Sequence, residues 1–121
     1  MNNSASDAVT SKDFKNALLA SRADISKQQR DMLEAHFQAS NHTLTATQLA
    51  QAAGYSDYGT ANLQYGQLGK TLGARLSLQP EKRKDGSKIW TTILATSNPD
   101  QPEDAHFQWV MRPQLVEALN A

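Results

Sequence analysis

Gly66, Gly69 and Gly73 recur three and four residues apart inside a stretch, 60–76, whose other residues have helical spacing. At about 100° per residue they fall with Asn62 on one stripe, while Ala61, Tyr65, Leu68 and Leu72 form a separate apolar stripe. A glycine inside a helix costs about 1 kcal/mol relative to alanine. Three on one stripe therefore call for a close approach by another backbone. A neighbouring helix is the expected partner, and a nucleic-acid phosphate is the alternative. On either account this helix is central, and the rest of the chain must be arranged around it.

The flanking punctuation defines the other elements. Ser11 reads as an N-cap, with Phe14, Ala17 and Leu18 following at helical spacing, which predicts a helix over 12–21. Ser26-Lys27-Gln28-Gln29 is a capping box opening a helix that runs to residue 39 and carries Met32, Leu33, His36 and Phe37. Ser40-Asn41-His42 breaks it, and His42-Thr43-Leu44 suits a short strand. Thr45-Ala46-Thr47-Gln48 is a second capping box, opening a helix through Leu49, Ala50 and Ala53 that Gly54 ends. Residues 55–59 read as a turn. After the long helix, Asp85-Gly86 is a hairpin signal, and 88–95 is β-rich. Residues 96–104 form a proline-containing loop. Residues 106–111 alternate as a strand with Phe107, Trp109 and Met111 on one face, and Pro113 opens a last helix docked by Leu115, Val116 and Leu119. Tyr65 and Trp90 are expected in the core.

At 121 residues, with 39% hydrophobic composition, the chain suits one modest domain. Residues 1–10 are expected to be disordered and 11–121 to form the domain. The absence of cysteine excludes disulfide scaffolds, cysteine-ligated zinc and thiol catalysis. Residues 1–10 hold no apolar core of a secretory signal, and no run approaches the ~20 apolar residues of a membrane span. A cytoplasmic location is expected. The formal net charge is zero, but the sum hides a gradient. Residues 65–92 carry Lys70, Arg75, Lys82, Arg83, Lys84 and Lys88 against Glu81 and Asp85, a net +4. Residues 93–121 carry Arg112 against Asp100, Glu103, Asp104 and Glu117, a net −3. A local basic segment can serve as an electrostatic footprint for nucleic acid, or simply as a solvated loop.

A short helix, a glycine turn and a second helix, followed by a hairpin with basic residues at its turn, is the layout of a winged helix-turn-helix. The predicted fold class is α+β, a single winged-helix-like domain with a small antiparallel sheet. The segment 45–55, with its capped start, Gln48-Leu49-Ala50 and then Gly54-Tyr55, looks like the first helix and turn of such motifs. The stretch 44–76, together with Trp109-Val110-Met111-Arg112-Pro113, resembles a bacterial winged-helix-like module associated with restriction-type HNH endonucleases. No nuclease constellation is present, so the resemblance implies only a binding role, regulatory or restriction-linked.

Catalysis finds little footing. His36, His42 and His106 have no ligand partners at metal-binding offsets, so no metal is expected. There is no Gly-x-Ser-x-Gly elbow. Gly69-Lys70-Thr71 imitates the end of a phosphate loop, but Gln64 stands where the first glycine belongs and the approach is helical. The chain is expected to be neither an enzyme nor a cofactor carrier. Two binding readings remain. In the first, double-stranded DNA is met by Thr60, Gln64, Gln67, Thr71 and Arg75 on the long helix, with Gln and Arg able to make bidentate contacts to base edges. Lys70 and hairpin residues Lys82, Arg83, Lys84 and Lys88 would then sit on phosphates. In the second, a protein partner such as a defence nuclease is bound by a small inhibitor or regulator of a phage or mobile element. That reading uses Asp100, Glu103 and Asp104, with Tyr55 and Tyr58 as anchors.

Overall fold

The computed structural model describes residues 9–101 and 107–120. Among them the chain runs α1 (Ser11–Ala20), α2 (Lys27–Gln38), β1 (Thr43–Thr45), α3 (Ala46–Ala53), α4 (Tyr58–Gly73), β2 (Glu81–Lys82), β3 (Lys88–Ile89), β4 (Ala95–Ser97), β5 (Gln108–Met111) and α5 (Pro113–Asn120). This is an α+β domain of α-helices and a small antiparallel sheet. Both capping boxes form as read, Ser26 with Gln29 and Thr45 with Gln48. Gly54 ends α3 in the left-handed conformation, at φ 78°. The cap of α1 is Thr10 rather than Ser11. The Thr10 amide donates to Asp13 Oδ2 at 3.0 Å and Thr10 Oγ1 accepts from the Asp13 amide at 3.2 Å. Val9 is buried beside it, so the domain begins before residue 11; residues 1–8 lie outside the described part.

Helix α4 starts at Tyr58 because the Asp57 carboxylate accepts the Thr60 amide at 2.8 Å, which draws Tyr58 and Gly59 out of the expected turn and into the first helical turn. Its apolar seam is as read: Ala61, Tyr65, Leu68 and Leu72 are all buried. What packs against the glycine stripe is not another α-helix. It is a 3-10 turn, Trp90–Ile93. A Cβ on Gly69 would overlap the Trp90 carbonyl oxygen and stand 2.9 Å from its carbon, and one on Gly73 would stand 3.3 Å from both Trp90 Cζ3 and Ile93 Cγ1. The turn also breaks the strand expected over 88–95. Thr92 Oγ1 donates to the Ile89 carbonyl at 2.6 Å. Close packing on α4 there overrides the β preference of Thr91, Thr92 and Ile93.

The three-stranded sheet has the order β1-β5-β4, with Thr43 opposite Val110 and Thr96 opposite Val110 on the other side. The basic hairpin β2–β3 is a separate two-stranded ribbon. The strand before α3 therefore joins the C-terminal strands and not the hairpin. The β4–β5 connection includes residues 102–106, so Glu103, Asp104 and His106 lie outside the described residues. The core gathers Phe14 of α1, Met32 of α2, Leu49 of α3, the α4 seam, Ile93, Leu94, Met111 and Leu115. Val116 and Leu119 pack against it partly buried.

Candidate functional site

A groove of about 730 Å³ runs beside α4. One wall is α4 itself, through Tyr58, Asn62, Leu63, Gly66, Gln67 and Lys70. The end of β1 with the start of α3 (Thr45, Ala46, Thr47) and β5 with the residue before it (Phe107, Trp109) line the groove as well. The hairpin and the 3-10 turn supply Arg83, Lys88, Ile89, Trp90 and Thr91. Among the described residues the lining thus holds three cations and no carboxylate. Among the described residues the ion pair present is Lys27–Asp31 on α2, so none of the groove cations is neutralised by one.

The hairpin holds its charges in an unfavourable arrangement. Lys82 and Lys88 are directly opposed across β2 and β3, and like charges in that register repel. Lys88 Nζ lies 5.3 Å from the centroid of Trp90, close enough for a cation–π contact. The turn is shaped locally: Gly86 has φ 89°, its amide donates to the Arg83 carbonyl at 2.9 Å, and Asp85 Oδ1 accepts from the Ser87 amide and hydroxyl. Those Ser87 bonds hold the Asp85 carboxyl below its usual range. One buried hydroxyl ties the ribbon to the body, because Thr92 Oγ1 accepts the Glu81 amide at 2.8 Å.

The expected residues divide between two sides of α4. Gln67, Lys70, Arg83 and Lys88 meet in the groove. Lys82 and Lys84 are exposed on the hairpin. Thr60, Gln64, Thr71 and Arg75 do not join them. Thr60 caps back to Asp57, and the Gln64 carbonyl accepts Gln29 Nε2 of α2 at 3.2 Å. Thr71 donates to the Gln67 carbonyl, and Arg75 Nε donates to buried Ser21 at 2.9 Å. The outward crest opposite the buried seam is instead Leu63, Gln67, Lys70 and Ala74, all exposed. The residues of the second reading are also divided. Tyr58 lines the groove, Tyr55 packs half-buried on the core, and Asp100 lines a separate depression with Asn41, Gln48 and Asn98. Trp90, expected in the core, is half-buried at the groove.

Leu63, Phe107 and Trp109 belong to this surface but were not among the expected residues. The readable signal for Leu63 is its phase, an apolar side chain well off the Ala61–Tyr65–Leu68–Leu72 stripe. Phe107 and Trp109 meet edge to face at 4.7 Å. Behind Trp109 stands fully buried His36. Its Nε2 lies 2.9 Å from the Trp109 carbonyl and its Nδ1 2.8 Å from the Tyr65 hydroxyl. A carbonyl only accepts, so Nε2 carries the proton and Tyr65 donates to Nδ1. Burial holds the His36 pKa below its ordinary value, and burial pushes that of Tyr65 far upward.

Among the described residues no helix is long and apolar enough to cross a membrane, and no group of His, Asp and Glu could hold a metal ion. Comparison with family models, curated proteins and solved structures finds no match.

Proposed function

We propose that the chain is a nucleic-acid-binding module whose contact surface is the groove between α4 and the basic hairpin. The observation that carries this reading is the segregation of charge: an electroneutral chain lines one groove with Lys70, Arg83 and Lys88 and, among the described residues, with no carboxylate. The opposed Lys82 and Lys88 support it, since a bound phosphate would relieve their repulsion. The resemblance to the restriction-associated winged-helix module adds a cytoplasmic, regulatory or restriction-linked accessory role acting on DNA. The protein-binding reading draws on fewer observations, because Tyr58 and Asp100 line different depressions.

The test is binding of a mixed-sequence DNA, as duplex and as single strand, at two or more salt concentrations. Phosphate contacts by Lys70, Lys82, Arg83, Lys84 and Lys88 give a slope of log K against log salt of about −4 to −5 on duplex. Changing Lys82, Arg83 and Lys84 to Ala flattens that slope by about 3. Absence of binding to either form at about 50 mM salt sinks the reading.

A further inference from the structure

Among the described residues four large apolar side chains are exposed: Leu19, Tyr58, Leu63 and Phe107. Three of them, Tyr58 at 62%, Leu63 at 60% and Phe107 at 51%, line the same groove. Both tryptophans of the chain, Trp90 and Trp109, line it too. Apolar surface gathered in this way, with cations beside it and, among the described residues, no carboxylate, suits an occupant that is flat, apolar and anionic at once. The crest of α4 is poorly equipped to read a duplex. Of Leu63, Gln67, Lys70 and Ala74, only Gln67 can make the paired contact to an adenine edge, and Lys70 alone can reach guanine. Paired bases also hide the faces that aromatic side chains would cover, whereas an unpaired strand exposes them.

We propose, resting on the nucleic-acid reading above, that the groove takes an unpaired strand. Bases stack against Tyr58, Phe107 and the tryptophan edges, and phosphates meet Lys70, Arg83 and Lys88. The volume of about 730 Å³ lies within the ~300–1,000 Å³ of sites that enclose drug-sized ligands, a scale suited to nucleotides of one strand. Among the described residues the groove has no feature that separates a deoxyribose from a ribose strand, so single-stranded nucleic acid is the ligand class.

The intrinsic tryptophan fluorescence of the full chain reports occupancy directly. It would be titrated with oligodeoxyuridylate and oligouridylate, each of about 12 nucleotides, a mixed duplex, and an oligoglutamate peptide. The expected result is quenching by one or both single strands at lower concentration than by duplex, the tighter of the two identifying the sugar. Tyr58→Ala and Phe107→Ala, both at exposed positions, each weaken single-strand binding by about 5- to 150-fold. Leu19→Ala, equally exposed on α1, leaves it unchanged. Duplex binding equal to or tighter than single-strand binding, or full affinity in both aromatic variants, overturns the proposal while the nucleic-acid reading stands. Failure of every nucleic acid to bind at about 50 mM salt overturns both. Quenching by oligoglutamate alone does the same and assigns the groove to an acidic protein segment.

Discussion

Gly69 and Gly66 sit one turn apart on the same stripe and answer to different neighbours. At Gly69 an added methyl meets the Trp90 backbone, which cannot move away cheaply. Gly69→Ala gains about 1 kcal/mol in helix propensity but overpacks a backbone contact, at about 1–3 kcal/mol or more. The balance is expected to be destabilising in chemical denaturation. At Gly66 the nearest atom is Thr91 Oγ1 at 3.7 Å, so Gly66→Ala is expected to stabilise by about 0.5–1 kcal/mol. Because Gly66 lines the groove, that variant also probes binding in a sound fold. His36 makes a second prediction at this scale. Its folded pKa lies below the ~6.5 of an unfolded imidazole, so the unfolded chain takes up the proton first on acidification. Stability is full above pH ~6.5 and falls as pH drops below it. His36→Gln keeps a donor and an acceptor without that titration. Denaturation midpoints from pH 7 to 5 should then lose the part of the slope that His36 contributes; an unchanged slope would show that His36 titrates as in the unfolded chain.

At the scale of elements, the hairpin is a small ribbon held by few bonds. Thr92 is the clearest anchor, accepting the Glu81 amide and donating to the Ile89 carbonyl. Thr92→Val keeps the volume and removes both bonds. Hydrogen exchange at the Glu81 amide is expected to speed up by about 5- to 150-fold, the equivalent of about 1–3 kcal/mol. Protection in α4 should change far less. The contrast between legible and illegible elements follows the same logic. Ser26, Thr45, Gln48 and Gln29 declare their helices because a cap is a contact between residues three apart, written within the local sequence. The 3-10 turn at Trp90–Ile93 is different. Nothing near Thr91, Thr92 and Ile93 announces it, since the cause is a glycine more than twenty residues earlier. For the same reason α4 was read in the right place with its outward face rotated: the wheel locates the apolar seam, but not that α1 and α2 come to lie over Gln64 and Arg75.

Across the whole molecule, charge is separated along the chain and partly in space. The basic hairpin and groove stand apart from Asp100, which lines a different depression. Carboxylates that do not touch the ligand act on it only through the long-range field. Changing Asp100 to its amide is therefore expected to tighten nucleic-acid binding slightly at about 10 mM salt, where the Debye length is ~30 Å. The gain should fade toward 0.15 M, where that length is ~8 Å. A salt-independent gain would mean that the Asp100 carboxylate stands at the contact surface itself. The α+β class and single-domain organisation were legible because they follow from counts and periodicities. The sheet was not, because its pairing depends on which late strand returns to β1.

That return has a consequence for how the molecule comes into being. Thr43, Leu44 and Thr45 find their partners at Val110, Trp109 and Gln108, and α1 packs on α5 at the other end of the chain. His36 likewise waits for the Trp109 carbonyl. During synthesis, at about 5–20 residues per second, the helices of the first half emerge with their sheet partner still unmade. Pairing of β1 and packing of α1 are thus deferred until β5 and α5 have been made. A nascent chain arrested before Gln108 should bind chaperones and be cut readily by protease, and release of the remaining residues should confer resistance in one step.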